Sequence, residues 1–315
     1  MNSTPKVSVI IPVYNVEEYV GCCVRSVFMQ DWKNIEFIFV DDASTDRSVS
    51  IIEEILNLEF PELRPCVKII RKEHSGLPQS RMAGLRVAEG EYIIHVDSDD
   101  WVEPEYISHL ASKAVKENAD VVYCDFIKEM EGRSKLVVEG EFTPSNGAMA
   151  VKNMHNSIIR GYMWNKLARR SLYDLDKMFV PIYGYHEDLV FQTQILYRAA
   201  KVVHLNEALY HYRRKRKGAL TTLPLVKSRK MSAENMLKLY DILPAEGEPK
   251  ESSGIDILIR GGWYCACILN LKMLREHPEA VRILSSMKLI RDCRVPLFKQ
   301  RFTRFICRLV LKRLK

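Results

Sequence analysis

Three short runs in the first hundred residues are almost wholly apolar and rich in β-branched side chains: Val7-Ser-Val-Ile-Ile-Pro-Val13, Ile35-Glu-Phe-Ile-Phe-Val40 and Glu91-Tyr-Ile-Ile-His-Val96, with a shorter one from Val67 to Ile70. Between them, at about 17–30, 46–58 and 77–89, apolar positions recur at helical spacing. Strands this apolar are buried on both faces, and strands alternating with helices form crossover units. The pattern therefore predicts an α/β fold built on a parallel, doubly wound sheet.

In such sheets ligands collect at the carboxyl ends of the strands. Two of those ends carry acids: Val40 leads into Asp41-Asp-Ala-Ser-Thr-Asp46, and Val96 into Asp97-Ser-Asp-Asp100. Asp42 and Asp99 are expected to face one crevice. Carboxylates crowded at a strand end repel one another and resist desolvation, a cost that a cation relieves, and their hard oxygens suit Mg²⁺ or Mn²⁺. Taken alone, an acidic loop also reads as a solvated turn or a helix N-cap.

Further segments join these two in a fixed order. Val7 to Asn15, Val40 to Asp46, Gly76-Leu77 with Arg81, Gly90-Glu-Tyr-Ile93 and Asp97 to Asp100 resemble family 2 glycosyltransferases with a GT-A fold, that is, a Rossmann-like, mostly parallel sheet. The likeness is dense through residue 104 and continues more thinly to about 222. There Trp164-Asn-Lys-Leu167, Gly184-Tyr-His-Glu-Asp-Leu-Val-Phe191 and Leu209-Tyr-His-Tyr-Arg213 are similar to acceptor-side elements of the capsule and exopolysaccharide branch. The resemblance implies a catalytic domain over 1–222, with a nucleotide-binding half to about 104 and an acceptor half over 105–222. A helical C-terminal region over 223–315 is expected to follow.

The resemblance also implies roles. Asp42 reads the nucleobase, while Pro12 and Tyr14 support base and ribose; a carboxylate suits the N3–H of uracil, so UDP is the expected carrier. Asp97, Ser98 and Asp99 match the DXD motif, Asp99 being the expected direct ligand of a Mn²⁺ or Mg²⁺ beside the donor diphosphate. Asp188 matches the base that takes the acceptor proton, with Glu187 the alternative. One base and no protein nucleophile implies inversion. Both acids also suit the first turn of a helix over 187–199, where each contributes roughly 0.3–1 kcal/mol.

Arg81 stands in Gly76-Leu-Pro-Gln-Ser-Arg-Met-Ala-Gly84, where relatives often carry Asn at the position of Met82. It is expected to hold the nucleotide, the alternative being a helix-surface charge. The basic run Arg213-Arg-Lys-Arg-Lys217 corresponds to a segment that closes over the diphosphate in the family, with Arg213 and Arg216 the principal contacts. His211 is a further candidate for metal or phosphate, against a purely structural role in its strand. Without stacking aromatics or a nucleic-acid module, the run does not point to polynucleotides.

Other classes fit less well. A processive synthase would need membrane spans and Gln-x-x-Arg-Trp, whereas this chain has Gln194-Ile-Leu-Tyr-Arg198 and no apolar run of spanning length. A catalytically dead scaffold would tolerate loss of Asp42, Asp97, Asp99 and Asp188, all of which are present. A nucleotidyltransferase would show a Gly-rich first loop, and residues 7–16 contain no Gly. The expected partners are thus a nucleotide-sugar donor and a saccharide or polyprenyl-linked acceptor.

Composition changes the picture in one place. The chain has 315 residues, with 47 Lys and Arg against 40 Asp and Glu, for a formal charge of +7. The seven basic residues of 296–315, a stretch without acids, account for all of it. On a helix, Phe298, Phe302, Phe305, Ile306 and Leu309 share one face and Arg301, Arg304, Arg308, Lys312 and Lys315 another. That is the pattern of a helix lying on an anionic membrane, or of one packed on the domain with its charges solvated. The eight Cys lack C-x-x-C spacing, and no secretory pattern opens the chain. A cytoplasmic enzyme, peripheral on the inner face of the membrane, is expected.

Overall fold

The computed structural model describes residues 4–143, 145–155, 157–181, 184–214, and Met231 and Asn235. Arg216, the loop over 244–253 and the amphipathic segment over 296–315 lie outside the described residues.

Strands β1 (Val7–Val13), β2 (Ile35–Asp41), β3 (Val67–Arg71) and β4 (Tyr92–His95) pair in parallel in the order β3-β2-β1-β4. Helices α1 (Val20–Phe28), α2 (Ser48–Leu58) and α3 (Leu77–Val87) connect them. Each element falls within a few residues of its predicted span. The sheet then continues through β8 (Lys166–Arg169), β6 (Val121–Met130), β9 (Val202–Arg213) and β5 (Trp101–Val102), with β7 (Arg133–Val137) on the edge of β6. β8 runs antiparallel to both β4 and β6, while β9 runs parallel to β6. The longest ladders are parallel, and one sheet crosses position 104. β9 is twelve residues long.

Alternation divides the core into two layers, one on each face of the sheet. Val9, Ile11, Phe37, Phe39 and Ile94 pack with α1, α2 and α4 (Tyr106–Glu117). Ile10, Ile38, Val40 and Ile93 pack with α3, α5 (Gly147–His155) and α6 (Glu187–Arg198). The contact between α3 and β1 is close enough that a Cβ on Gly84 would lie 2.5 Å from Ile10 Cγ2. Gly84 therefore fixes the height of α3 over the sheet, and with it the position of Arg81 one turn earlier. Among the described helices none is long and apolar enough to cross a membrane. The described cysteines, Cys22, Cys23, Cys66 and Cys124, are free thiols.

Candidate active site

The carboxyl ends of β1, β2, β4 and β9 open onto a cleft of about 730 Å³. Pro12 lies near the end of β1 and Tyr14 just after it, Asp42 follows β2, and Asp97, Ser98 and Asp99 follow β4, all on its wall. Arg81 comes from α3, Glu187 and Asp188 from the first turn of α6, and Arg213 from the end of β9. The sequence candidates thus converge from positions up to two hundred residues apart.

Beside Tyr14, Asp42 is buried and its oxygens are engaged. Oδ1 accepts from Ser75 N–H (2.9 Å) and from Lys72, and Oδ2 from Gly76 N–H (2.8 Å), with His74 Nδ1 at 2.9 Å. Burial pushes this carboxyl up, but Lys72 and the two backbone donors outweigh it and hold it below the usual range. Asp42 therefore ties the 72–76 turn to β2, and Tyr14 stacks on His74 at 4.5 Å between centroids. Lys72 and His74 were not anticipated from the sequence; they sit in the turn between β3 and α3, to which the pattern gave no chemistry.

In the turn after β4, Asp97, Asp99 and Asp100 bring carboxylate oxygens within 4.8 Å of one another. Asp100 plays a different part from the other two. It is buried, accepts from Tyr210 Oη (2.8 Å) and Arg213 N–H (2.7 Å), and stays off the cleft wall. Burial, then Asp99 and Asp97, push its carboxyl well above the usual range. Crowded hard donors of this kind fit a divalent cation, with Asp97 and Asp99 on the cleft and Asp100 bracing the turn behind them. Arg213 donates from Nε to the Asp99 carbonyl (2.9 Å), and its guanidinium lies over the Trp101 ring at 4.8 Å.

The geometry excludes one alternative and one expectation. Arg81 is not a helix-surface charge: it is 1% exposed, with Nη2 2.9 Å from Asp97 Oδ1 and 3.4 Å from Glu187 Oε1. Burial opposes its charge, but these carboxylates keep it ionised. His211 does not face the acidic cluster. Its Nε2 lies 2.7 Å from Glu103 and its Nδ1 2.9 Å from Glu129, and the ring stacks on Trp101 at 4.9 Å. Two residues before Arg213, it is held by carboxylates of β6 and the β5 exit, so its contacts are structural ones.

At the start of α6, His186 adopts a left-handed backbone (φ 60°) that turns the chain into the helix and presents Glu187 and Asp188 to the cleft. Burial, then the neighbouring Asp188, push the Glu187 carboxyl up to about 8, against the pull of Arg81. Asp188 is half-buried; burial raises its carboxyl too, eased by His186 and by the Leu189 N–H at 2.7 Å. Opposite them Tyr162, Trp164 and Tyr212 form an aromatic wall, with Trp164 stacked on Tyr162 at 4.6 Å. Trp164 and Tyr212 fall inside quoted motifs, whereas Tyr162 carries no signal beyond preceding one.

Residues 8–175 match the family described as Glycosyl transferase family 2. EpsH of Bacillus subtilis (strain 168), which carries a glycosyltransferase name, is 34% identical over 216 residues, or 67% of this chain and 61% of EpsH. TarS of Staphylococcus aureus, a poly(ribitol-phosphate) β-N-acetylglucosaminyltransferase, is 31% identical over 216 residues, 68% of this chain and 36% of that protein. The chain thus spans less than two thirds of either relative. The crystal structure of TarS 1–349 with UDP-GlcNAc superposes with a TM-score of 0.68 over 98% of this chain and 90% of that one. Identity falls to 20% over that longer superposition, so the likeness establishes the fold.

Proposed function

The chain belongs to glycosyl transferase family 2, and from that premise we propose that it transfers one sugar, with inversion, from a UDP-sugar to a saccharide or lipid-linked saccharide in surface polysaccharide synthesis. The observation that carries this reading is the convergence of Asp42, Asp97 to Asp99 and Asp188 on one cleft. TarS, which shares the fold, was crystallised with UDP-GlcNAc, and this supports UDP as the carrier.

In this reading the nucleoside lies along Pro12, Tyr14 and Asp42, and the diphosphate lies between the Asp97–Asp99 turn and Arg213. Asp97 and Asp99 would hold a Mn²⁺ or Mg²⁺, which when bound would offset the charge gathering on the departing diphosphate. Asp188 accepts the proton of the acceptor hydroxyl as its oxygen bonds to the anomeric carbon and the bond from that carbon to the diphosphate breaks. Asp188 is favoured over Glu187 because Glu187 is turned onto Arg81 and pushed up to about 8.

Calorimetry of UDP and GDP, each with and without Mn²⁺, tests the donor side. UDP is expected to bind more tightly than GDP and to gain affinity from Mn²⁺, with ligand at 100 times its Kd stabilising the protein by about 2.7 kcal/mol. Asp99→Asn is expected to abolish the Mn²⁺ gain while leaving metal-free affinity in place. Equal enhancement in both proteins would remove Asp99 from the metal site.

A further inference from the structure

Behind the aromatic wall lies a buried pair of opposite charges that the mechanism does not use. Glu139 and Lys166 are 2% and 1% exposed. Isolated buried charges are expensive, so what they contact indicates what they are kept for. Lys166 Nζ donates to Arg160 O (2.5 Å), Tyr162 O (3.1 Å) and Asn165 Oδ1 (2.8 Å). Glu139 Oε2 accepts from Arg160 N–H (2.8 Å), and Oε1 from Asn165 Nδ2 (3.2 Å). Every one of these bonds ends in residues 160–165, and the two backbone groups of Arg160 are gripped from opposite sides. Asp125 Oδ1 in turn fixes the Glu139 N–H at 2.8 Å. Burial pulls the Lys166 ammonium down to about 8 against the attraction of Glu139 and Asp188.

The clamped segment has nowhere to relax. A Cβ on Gly161 would lie 2.7 Å from Leu189 Cδ1, so the segment packs directly on the turn of α6 that carries Asp188. Tyr162 and Trp164 project from it into the cleft.

We propose that Lys166 and Glu139 are positioning residues that hold residues 160–165 against α6, so that Tyr162 forms a flat wall beside Asp188 for the ring of a pyranose acceptor. This rests on the glycosyl-transfer reading above. The aromatic face suits the C–H face of a sugar, and a displaced wall loses that contact in the bound acceptor and in the transition state alike, so it weakens acceptor binding rather than the chemical step.

The test uses the full chain and Lys166→Met, Glu139→Gln, Tyr162→Leu and the Lys166→Met/Tyr162→Leu double variant. Trypsin cutting after Arg160, followed by mass spectrometry, reads the clamp without any acceptor. Losing charged hydrogen bonds to that residue should speed this cut at least about tenfold in Lys166→Met and Glu139→Gln. UDP affinity should stay within about twofold of wild type, because the nucleotide wall is built from other elements. With 4-nitrophenyl pyranosides of glucose, galactose and N-acetylglucosamine as acceptor probes, KM should rise about tenfold in each single variant at little-changed kcat. The double variant should be no worse than Tyr162→Leu, since both act through one ring. A cut at the wild-type rate, additive losses in the double variant, or UDP affinity falling in step with KM would each overturn the proposal. A wild type that binds UDP but uses none of the three pyranosides overturns the sugar wall. A wild type that does not bind UDP instead removes the reading of the cleft, and the rate of the Arg160 cut still decides whether the clamp exists.

Discussion

Glu187 and Asp188 are adjacent in sequence, yet α6 gives them different partners. Glu187 points back to Arg81, whereas Asp188 stays half-buried on the cleft wall. Asp188→Asn is therefore expected to lower kcat by about 10²-fold or more at nearly unchanged UDP affinity, because an amide cannot accept the hydroxyl proton. Glu187→Gln should keep most activity, since a carboxyl pushed up to about 8 is already mostly neutral at pH 7. Retained turnover in Asp188→Asn with loss in Glu187→Gln would reverse the roles. pH separates the two further. Burial raises the Asp188 carboxyl, so the acid limb of kcat/KM should lie above the ordinary carboxylate range. For Glu187 the native state binds the extra proton between its ordinary value of 4.5 and about 8. Its contribution to stability is thus present below 4.5 and is lost as pH rises toward 8, a fall in melting temperature that Glu187→Gln should remove. At this scale the sequence exposed the acids and hid their pairing, because the partner of Glu187 lies on α3, more than a hundred residues away.

At the scale of elements, β9 decides how the acidic turn is held. Its parallel pairing with β6 carries Tyr210 and Arg213 to the turn after β4. Tyr210 Oη accepts from Asp97 N–H at 3.1 Å and donates to Asp100, and Arg213 N–H closes the same carboxylate. Tyr210→Phe is expected to cost about 1–3 kcal/mol of stability, since it strands a buried amide and a buried carboxyl, as chemical denaturation would show. Mn²⁺-dependent UDP binding should weaken more than metal-free binding, because the turn that presents Asp97 and Asp99 loses its brace. Unchanged metal dependence would mean that the turn holds its shape without β9. The motif Leu209 to Arg213 marked the end of this strand, but its full length was hidden. Positions 202–206 include Val, His and Asn in no clean alternation, and their strand state comes from pairing with β6.

For the whole molecule, the uneven distribution of charge gives a separate expectation. All of the formal excess sits in residues 296–315, outside the described part, while the residues proposed for the nucleotide lie before 105, together with Arg213. Deleting 296–315 should leave UDP affinity intact and release the protein from anionic liposomes. Binding of the full chain should weaken with salt, as the screening length falls from about 10 Å at 0.1 M to about 3 Å at 1 M. Aggregation or unfolding of the deleted chain would show instead that the apolar face of this segment packs on the domain.

The sequence by itself determined the parallel half of the sheet, since runs such as Ile35 to Val40 are too apolar for anything but a strand covered on both faces. It also placed Asp42, Asp97, Asp99 and Asp188 at element ends, because the change from apolar run to acid is local. The tertiary structure decided how those acids are used. Asp100 became a brace, Arg81 was buried between Asp97 and Glu187, His211 was captured by Glu103 and Glu129, and Lys166 was turned onto the Arg160 segment. The reason is physical. Whether an apolar run is buried follows from its own composition, whereas the partner of a buried charge is whichever group the packing of distant elements brings within about 3 Å, where low dielectric makes that single contact strong.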